Sequence, residues 1–276
     1  MTSPPDGCRA NKLRIGFGML NSVDIPEYAH HCAQINQEYC RRHGYDFIIE
    51  RCPGGSKYPR WQWADDDQYL LVWHKAAFIR RHLPRYHYFV YLDSDAYVYD
   101  HQISLESFTQ PIINIKPEVS LIVQRDCHAQ GNCYRGGELN AGILILRNNK
   151  KAFDLLEDWD ASWQRDDGRC VDMRHAHPRE QECLIRLSKR DEYRAHVYMV
   201  PVEENMIGQL QAKYIRHLSG LDSEKRNQIL KAHASEILQL RTGWIPNKGI
   251  LSSVSLSSSL VSVILFLLLL YRVRMY

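Results

Sequence analysis

Five apolar or aromatic residues run directly into a pair of carboxylates, and this feature constrains the fold of the chain more than any other. The run is Tyr88–Leu92, and Asp93-Ser94-Asp95 follows it. A continuous apolar run of this length predicts a strand buried on both faces, as at the centre of a parallel sheet. Open α/β sheets bind their ligands at the carboxyl ends of such strands.

The spacing of the two acids leaves two interpretations open. Residues i and i+2 past a strand end can turn both carboxylates toward one point, where a divalent cation would hold them. Without a cation, two like charges this close repel and perturb each other's pKa. The sequence therefore indicates either a metal-assisted site for a phosphorylated substrate or a solvated turn in which Asp93 and Asp95 only cap the backbone.

Strand-like and helix-like segments alternate through the first half of the chain. The predicted strands are Leu13–Leu20, Tyr45–Glu50, Tyr86–Leu92, Val119–Gln124, Gly142–Leu146, His196–Val200 and Tyr214–His217. The predicted helices are Pro26 to Gly44, Tyr69–Leu83, Lys150–Gln164, Arg179–Ser188 and Ser223 to about Leu240. A length of 276 residues suits one large α/β domain or two small ones. The alternation predicts one α/β sheet of mostly parallel strands flanked by helices.

Charge and cysteine content narrow the class of protein further. The net charge is +3 with no long basic run, so nucleic acid is not an implied partner. Among the eight cysteines no Cys-x2-Cys pair occurs, which argues against a structural zinc site. Cys32 falls on an apolar helix face and is expected in the core. Cys127 and Cys133 flank a loop and could pair in an oxidising compartment.

The C-terminal part of the chain has a different composition from the rest. No charged residue occurs between Lys248 and Arg272. A helix over 250–271 would be about 33 Å long, enough to cross a bilayer core. We therefore expect a division after residue 245, with 246–276 forming a hinge and a transmembrane segment. A single terminal span predicts attachment to a membrane, with the rest of the protein in the cytosol. The alternative is a buried C-terminal helix.

Six segments in this order resemble GT-A (Rossmann-like) glycosyltransferases, and among them the family of yeast and plant α-galactosyl-, α-mannosyl- and α-xylosyltransferases. The resemblance covers roughly residues 12–230. The segments are YCRRHGY from Tyr39, WHK from Trp73, YLDSDA from Tyr91, LNAGILILRN from Leu139, EQE from Glu180 and YIRHLSG from Tyr214. Residues 1–245 would then be the catalytic domain. Family members usually act in the Golgi lumen, so an ER or Golgi lumenal site is the alternative to a cytosolic one.

The resemblance implies a nucleotide-sugar donor and a divalent metal, usually Mn²⁺, with Mg²⁺ as the alternative. Asp93 and Asp95 match the family's acid pair, and His217 matches the late histidine that completes its metal site. Two carboxylates and an imidazole suit Mn²⁺ better than Mg²⁺. The implied partners are the donor and a glycan or glycoprotein acceptor.

The resemblance also implies contacts on the nucleotide side of the site. Phe17 and Asn21, at the end of the first strand, are expected under the base. Ser94 is expected either to bond the ribose or to cap the turn. Lys75 or Arg216 could add a positive contact to the diphosphate, although an exposed strand edge is the preferred interpretation of Arg216.

On the sugar side, the segment from Asn140 to Gly142 is expected to form the floor of the pocket, because small residues let a backbone approach a ligand. A tight strand entry is the alternative. Gln181 and Glu182 match the family's polar segment at the reactive face, but Glu182 is longer than the usual acid, which leaves any catalytic carboxylate unassigned.

The family retains anomeric configuration, by front-face attack in which the departing phosphate accepts the acceptor's proton. An inverting enzyme would instead need a carboxylate base, for which Glu182, Glu138 and Asp126 are the candidates. A catalytically silent nucleotide-sugar-binding protein on the same fold is a further alternative. A metal-dependent phosphohydrolase would leave the Asn140 and Gln181 segments unexplained.

Overall fold

The computed structural model describes most of the chain before residue 243. The described residues are 13–21, 26–51, 71–127, 133, 138–164, 170–173 and 179–242. The chain divides into two units, Met1–Ile237 and Leu238–Tyr276, and every described strand lies in the first. No helix within the described ranges is long and apolar enough to cross a membrane. The predicted span over 250–271 and the predicted division after residue 245 lie outside those ranges.

Two sheets are present among the described residues. In chain order the strands are β1 (Ile15–Asn21), β2 (Asp46–Arg51), β3 (Tyr88–Leu92), β4 (Ala96–Val98), β5 (Leu121–Arg125), β6 (Leu139–Arg147), β7 (Val197–Met199), β8 (Ile207–Gly208) and β9 (Ile215–His217). The central sheet has the order β2-β1-β3-β6-β5-β7, and the smaller sheet has the order β4-β9-β8. In the central sheet only β6 is antiparallel to its neighbours, so the prediction of a mostly parallel sheet is confirmed.

Helices cover both faces of the central sheet. They are α1 (Glu27–His43), α2 (Lys75–His82), α3 (Leu105–Ile115), α4 (Lys150–Gln164), α5 (Glu180–Ser188), α6 (Asp191–Arg194) and α7 (Ser223–Thr242). Successive side chains of a strand point to opposite faces. Along β3, Val90 therefore packs in the core that contains α1 and α3, whereas Phe89 and Tyr91 pack in the core that contains α2, α4 and α5.

Helix α1 fixes the position of the short strand β4 behind the acid pair. Its limits were predicted correctly, since Pro26 precedes it and Gly44 ends it in the left-handed conformation at φ 70°. Its buried Asn36 donates from Nδ2 to the carbonyl of Ala96 at 3.0 Å and accepts from the amide of Val98 at 2.9 Å. These bonds tie β4 to the helix, and β4 in turn positions β9.

The structure differs from the predicted elements in a few places. The predicted helix Tyr69–Leu83 is a 3-10 turn over Leu71–His74 followed by α2, and residues 69 and 70 lie outside the described ranges. Helix α3 was not predicted; it contains Pro111, which removes a helix hydrogen bond and usually indicates a helix end. Strands β4 and β8 are too short to produce a sequence pattern.

Candidate active site

The acid pair lies in a tight turn between β3 and β4. The amide of Asp93 donates to the carbonyl of Gly142 on β6 at 2.9 Å, and the amide of Ala96 donates to the carbonyl of Asp93 at 2.9 Å. The second bond closes a four-residue turn. Ser94 is half-buried within this turn, whereas only 7% of Asp95 is exposed. The turn therefore places both carboxylates at the carboxyl end of β3.

His217 reaches the acid pair through the smaller sheet. Strand β9 runs antiparallel to β4 with His217 opposite Ala96, and the amide of Leu218 donates to the carbonyl of Asp95 at 3.0 Å. Nε2 of His217 lies 3.2 Å from Oδ1 of Asp95 and 3.8 Å from Oδ2 of Asp93. One ligand atom from each of the three residues falls within 4.8 Å of the others. Residues far apart in sequence thus meet as one cluster.

The imidazole of His217 lies directly against the backbone of Gly142. A Cβ added at position 142 would lie 2.5 Å from Nδ1 and 2.6 Å from Nε2 of His217. Both distances are far inside van der Waals contact. Only glycine leaves room for the ring here. Gly142 was predicted to let the backbone approach a ligand closely, and in the structure the imidazole itself makes a close approach.

Lys75, at the start of α2, bridges two carboxylates. Its Nζ lies 2.9 Å from Oδ1 of Asp93 and 2.8 Å from Oε1 of Glu180. The hydroxyl of Tyr91 donates to the same Oδ1 of Asp93 at 2.9 Å. Burial lowers the pKa of Lys75, but Asp93 and Glu180 outweigh it and raise that pKa above its ordinary value. Lys75 therefore stays charged and connects the acid pair to α5.

Arg226, on α7, holds the other acid. Its Nε lies 3.2 Å from Oδ2 of Asp95 and donates to the carbonyl of Leu218 at 3.1 Å. Burial raises the pKa of Asp95, yet His217 and Arg226 outweigh it and bring that pKa below its ordinary value. Asp95 is therefore ionised at neutral pH.

The donor set of this cluster fits a divalent cation. Two carboxylates and an imidazole are oxygen and nitrogen ligands of the kinds that divalent metal ions take in proteins. Burial lowers the pKa of His217, whereas Asp95 and Asp93 raise it above its ordinary value, so the cation-free imidazole tends to hold a proton. A metal ion would take the place of that proton. Because Gly142 has no Cβ, the ring of His217 can lie beside the acid pair, which also supports a cation site formed by these three residues.

A second polar cluster adjoins the first through Gly142. Asp126 accepts from Nδ2 of Asn140 at 3.1 Å and from Nε2 of Gln181 at 3.3 Å. Oε1 of Gln181 accepts from the amide of Ala141 at 3.0 Å, and Oδ1 of Asn140 accepts from the amide of Gly142 at 2.9 Å. The structure thus brings Asn140 and Gln181, both predicted on the sugar side, onto one carboxylate.

The remaining predicted site residues have different surroundings. Phe17 is fully buried and its ring stacks on that of Tyr45 with centroids 5.8 Å apart, so it belongs to the core. Asn21, at the end of β1, is buried, and its Oδ1 has no hydrogen-bond partner among the described residues. Glu182 accepts from Nε of Arg186 at 3.2 Å, one turn further along α5. The binding roles of these residues stay predictions.

Several residues that contact the site were assigned no role from the sequence. Nε2 of Gln124 lies 3.1 Å from Nδ1 of His217. The sequence feature that indicates a role for Gln124 is its position as a polar residue at the end of an apolar strand. Tyr91 precedes Asp93 by two residues, and Glu180 adjoins Gln181. Arg226 has no comparable signal, because it is one of many charged residues on α7.

Comparison with known protein families identifies the protein as a glycosyltransferase. The chain belongs to the galactosyl transferase GMA12/MNN10 family, whose family model matches residues 17–227. The matched range contains the acid pair, His217 and the polar cluster around Asp126. The predicted family and the predicted enzyme class are confirmed. Among curated proteins, no sequence matches the chain.

Solved structures that match the chain include further glycosyltransferases. One is a glycosyltransferase involved in the glycosylation of the major capsid of PBCV-1, with a TM-score of 0.57 and 17% identity over 79% of this chain and 99% of that chain. Mouse xyloside xylosyltransferase 1, in its apo form, gives a TM-score of 0.45 and 11% identity over 75% of this chain and 98% of that chain. The first similarity supports the predicted α/β fold.

Proposed function

We propose that the protein transfers a hexose or pentose from a UDP- or GDP-sugar to a glycan or glycoprotein acceptor, and that it needs a divalent cation, Mn²⁺ or alternatively Mg²⁺. One observation carries the proposal: ligand atoms of Asp93, Asp95 and His217 lie within 4.8 Å of one another at the carboxyl end of β3. This is the end at which open α/β sheets bind their ligands.

The residues around the cluster prepare it for a charged substrate. A bound divalent cation supplies Lewis-acid stabilisation of the negative charge that develops on the departing diphosphate. Asp93, Asp95 and His217 would hold it. Lys75 and Arg226 each fix one of the two carboxylates, so the ligands are oriented before the substrate arrives.

The cluster of Asp126, Asn140 and Gln181 is the proposed sugar-binding side. The carboxylate of Asp126 can accept hydrogen bonds from sugar hydroxyls, and the side-chain amides of Asn140 and Gln181 can both donate and accept them. Their bonds to one another and to the amides of Ala141 and Gly142 hold them in place. Groups fixed in this way orient a substrate at little further entropic cost.

Retention of anomeric configuration is favoured over inversion. Inversion needs a carboxylate base near the acceptor hydroxyl. The three candidates named from the sequence are all engaged: Asp126 by two amides, Glu182 by Arg186, and Glu138 by Lys189 at 2.6 Å. Retention needs no such base, because the departing phosphate is the proposed acceptor of the proton that leaves the acceptor hydroxyl.

Two disulfide bonds support an oxidising compartment for the catalytic domain. Cys127 pairs with Cys133, as the sequence suggested, and Cys170 pairs with Cys183. Such bonds persist in the ER and Golgi lumen and are rare in the cytosol. We therefore favour a lumenal site over the cytosolic one expected from the C-terminal segment. Cys32 is buried and unpaired, as predicted.

Release of free nucleotide from UDP- and GDP-sugars tests the proposed function. The wild type is expected to release nucleotide with Mn²⁺ and to stop when a chelator is added. Asp95→Asn should lower the rate by about 100-fold or more, since a lost charge-stabilising group typically costs this much. Asp154→Asn is the matched control, because its carboxylate forms an ion pair with exposed Lys150 on the same helix, α4. Release that is indifferent to chelator and to Asp95→Asn would refute the proposal.

A further inference from the structure

Gln124 contacts the imidazole of His217 at the nitrogen that does not face the acid pair. Its Nε2 lies 3.1 Å from Nδ1 of His217, and only 1% of Gln124 is exposed. Its Oε1 has no hydrogen-bond partner among the described residues. This arrangement therefore leaves one hydrogen bond unmade, and a buried amide oxygen without a partner costs free energy of folding.

The amide can face the imidazole in two ways, and they favour different tautomers. With Nε2 toward the ring, Gln124 donates to Nδ1, and the ring proton must sit on Nε2. Rotation of the amide by 180° exchanges its nitrogen and oxygen. Oε1 then accepts from Nδ1–H, which satisfies the unpaired oxygen. In that tautomer the lone pair of Nε2 of His217 faces Asp93 and Asp95, and only this form can bind a cation through Nε2.

We infer that Gln124 is a positioning residue for the metal-ligating histidine: its amide oxygen accepts the Nδ1 proton of His217 and keeps Nε2 directed at the acid pair. The inference rests on the proposed function, because it supposes that His217 binds a cation. Hydrogen bonds of this kind orient ligating histidines, and their loss typically weakens metal binding by about 10–100-fold.

The backbone of the central sheet is shaped for this contact. Between Val123 and Gln124 the pairing of β5 with β6 jumps from Leu144 to Asn140. Such an irregularity re-aims side chains and is frequent beside active sites. The pairing thus skips residues 141–143 of β6. Gly142 lies in this skipped segment, and its backbone contacts the same imidazole as Gln124. The ring is therefore held by one backbone segment and one side chain.

Titration with Mn²⁺, followed by electron paramagnetic resonance of the free ion, tests the inference. Gln124→Leu removes the acceptor at similar volume, whereas Gln124→Glu keeps an acceptor oxygen. Ser120→Ala is the control on the chain preceding β5, because Ser120 is equally buried and its hydroxyl donates to the carbonyl of Glu118. Melting temperatures of all variants are recorded in parallel.

The expected result is a Kd for Mn²⁺ about 10–100-fold higher in Gln124→Leu, with Gln124→Glu and Ser120→Ala at or below about threefold of the wild type. At saturating Mn²⁺, nucleotide release by Gln124→Leu should recover toward the wild-type rate. The inference is overturned if Gln124→Leu binds Mn²⁺ like the wild type, or if Gln124→Glu is as weak as Gln124→Leu. If the wild type and Asp95→Asn take up Mn²⁺ equally, or neither does, the proposed function itself fails.

Discussion

Substitution of Gly142 by alanine tests how closely β6 supports the metal-ligating histidine. The added Cβ would lie 2.5 Å from Nδ1 and 2.6 Å from Nε2 of His217, where carbon contacts need about 3.5 Å. Cε1 of the ring would lie closer still, so the ring must retreat by at least about 1 Å, or β6 must shift. Overpacking of this kind costs about 1–3 kcal/mol. For a domain of this size that corresponds to a fall in Tm of about 2–12 °C.

The effect on function should exceed the effect on stability. A displacement of about 1 Å at a positioned group can lower the rate about 100-fold. We expect Gly142→Ala to lose most of its Mn²⁺-dependent nucleotide release and to bind Mn²⁺ at least about tenfold more weakly, as for other changes that misorient a ligand. Calorimetry, nucleotide release and a Mn²⁺ titration measure the three quantities on one preparation.

Two further variants separate the clash from a general effect of alanine. Gly208→Ala is the matched control, because its nearest neighbour would be Cβ of Ala212 at an ordinary 3.9 Å. The double variant Gly142→Ala/His217→Ala has no ring to clash with, so its Tm should equal that of His217→Ala alone, and neither variant should bind Mn²⁺ as the wild type does. A single Gly142→Ala variant with wild-type Tm and wild-type Mn²⁺ affinity would refute the described packing of His217 on β6.

Three further predictions concern charge and cross-links. Lys75→Met should destabilise the protein by about 3–5 kcal/mol, because it leaves buried Glu180 without a cation, and adding Glu180→Gln should restore part of the loss in a double-mutant cycle by urea unfolding. Hydrogen bonds from two arginines lower the pKa of Glu38 to about 2. A carboxyl group with a lowered pKa stabilises the folded state at pH values above its unfolded-state pKa, so Glu38→Gln should lower the free energy of unfolding by about 1 kcal/mol at pH 7. The difference in stability between wild type and variant should shrink as the pH falls from 5 toward 2, and a difference that stays constant would contradict the assignment. Replacing Cys170 and Cys183 by serine should lower stability by about 3 kcal/mol, given their separation of 13 residues, and an unchanged Tm would count against the bond.

Local patterns were sufficient to predict much of the fold. The apolar run Tyr88–Leu92 forms the predicted central strand, and Lys150–Gln164 forms the predicted helix with the same limits. The first is a continuous apolar run and the second has the apolar periodicity of an amphipathic helix, and both have clear ends. Helix α3 was missed because Pro111 contradicts its local pattern, and tertiary packing of its buried face decides the outcome. β4 exists only because it pairs with β9 and bonds Asn36 of α1.

The candidate site was only partly accessible from the sequence. The spacing of Asp93 and Asp95 after a strand end indicated a site by itself, whereas the family resemblance was needed to connect His217 to them. Gln124 and Arg226 act through contacts that depend on how β5, β9 and α7 pack. Such contacts between distant segments leave no spacing or periodicity in a single sequence.

Diffraction from a crystal soaked in Mn²⁺, with data collected at the manganese absorption edge, shows whether Asp93, Asp95 and His217 bind one cation. We expect an anomalous peak within coordination distance, roughly 2–2.6 Å, of carboxylate oxygens of Asp93 and Asp95 and of Nε2 of His217. Crystals that show no peak there, with Nε2 of His217 still bonded to Asp95, would contradict this expectation.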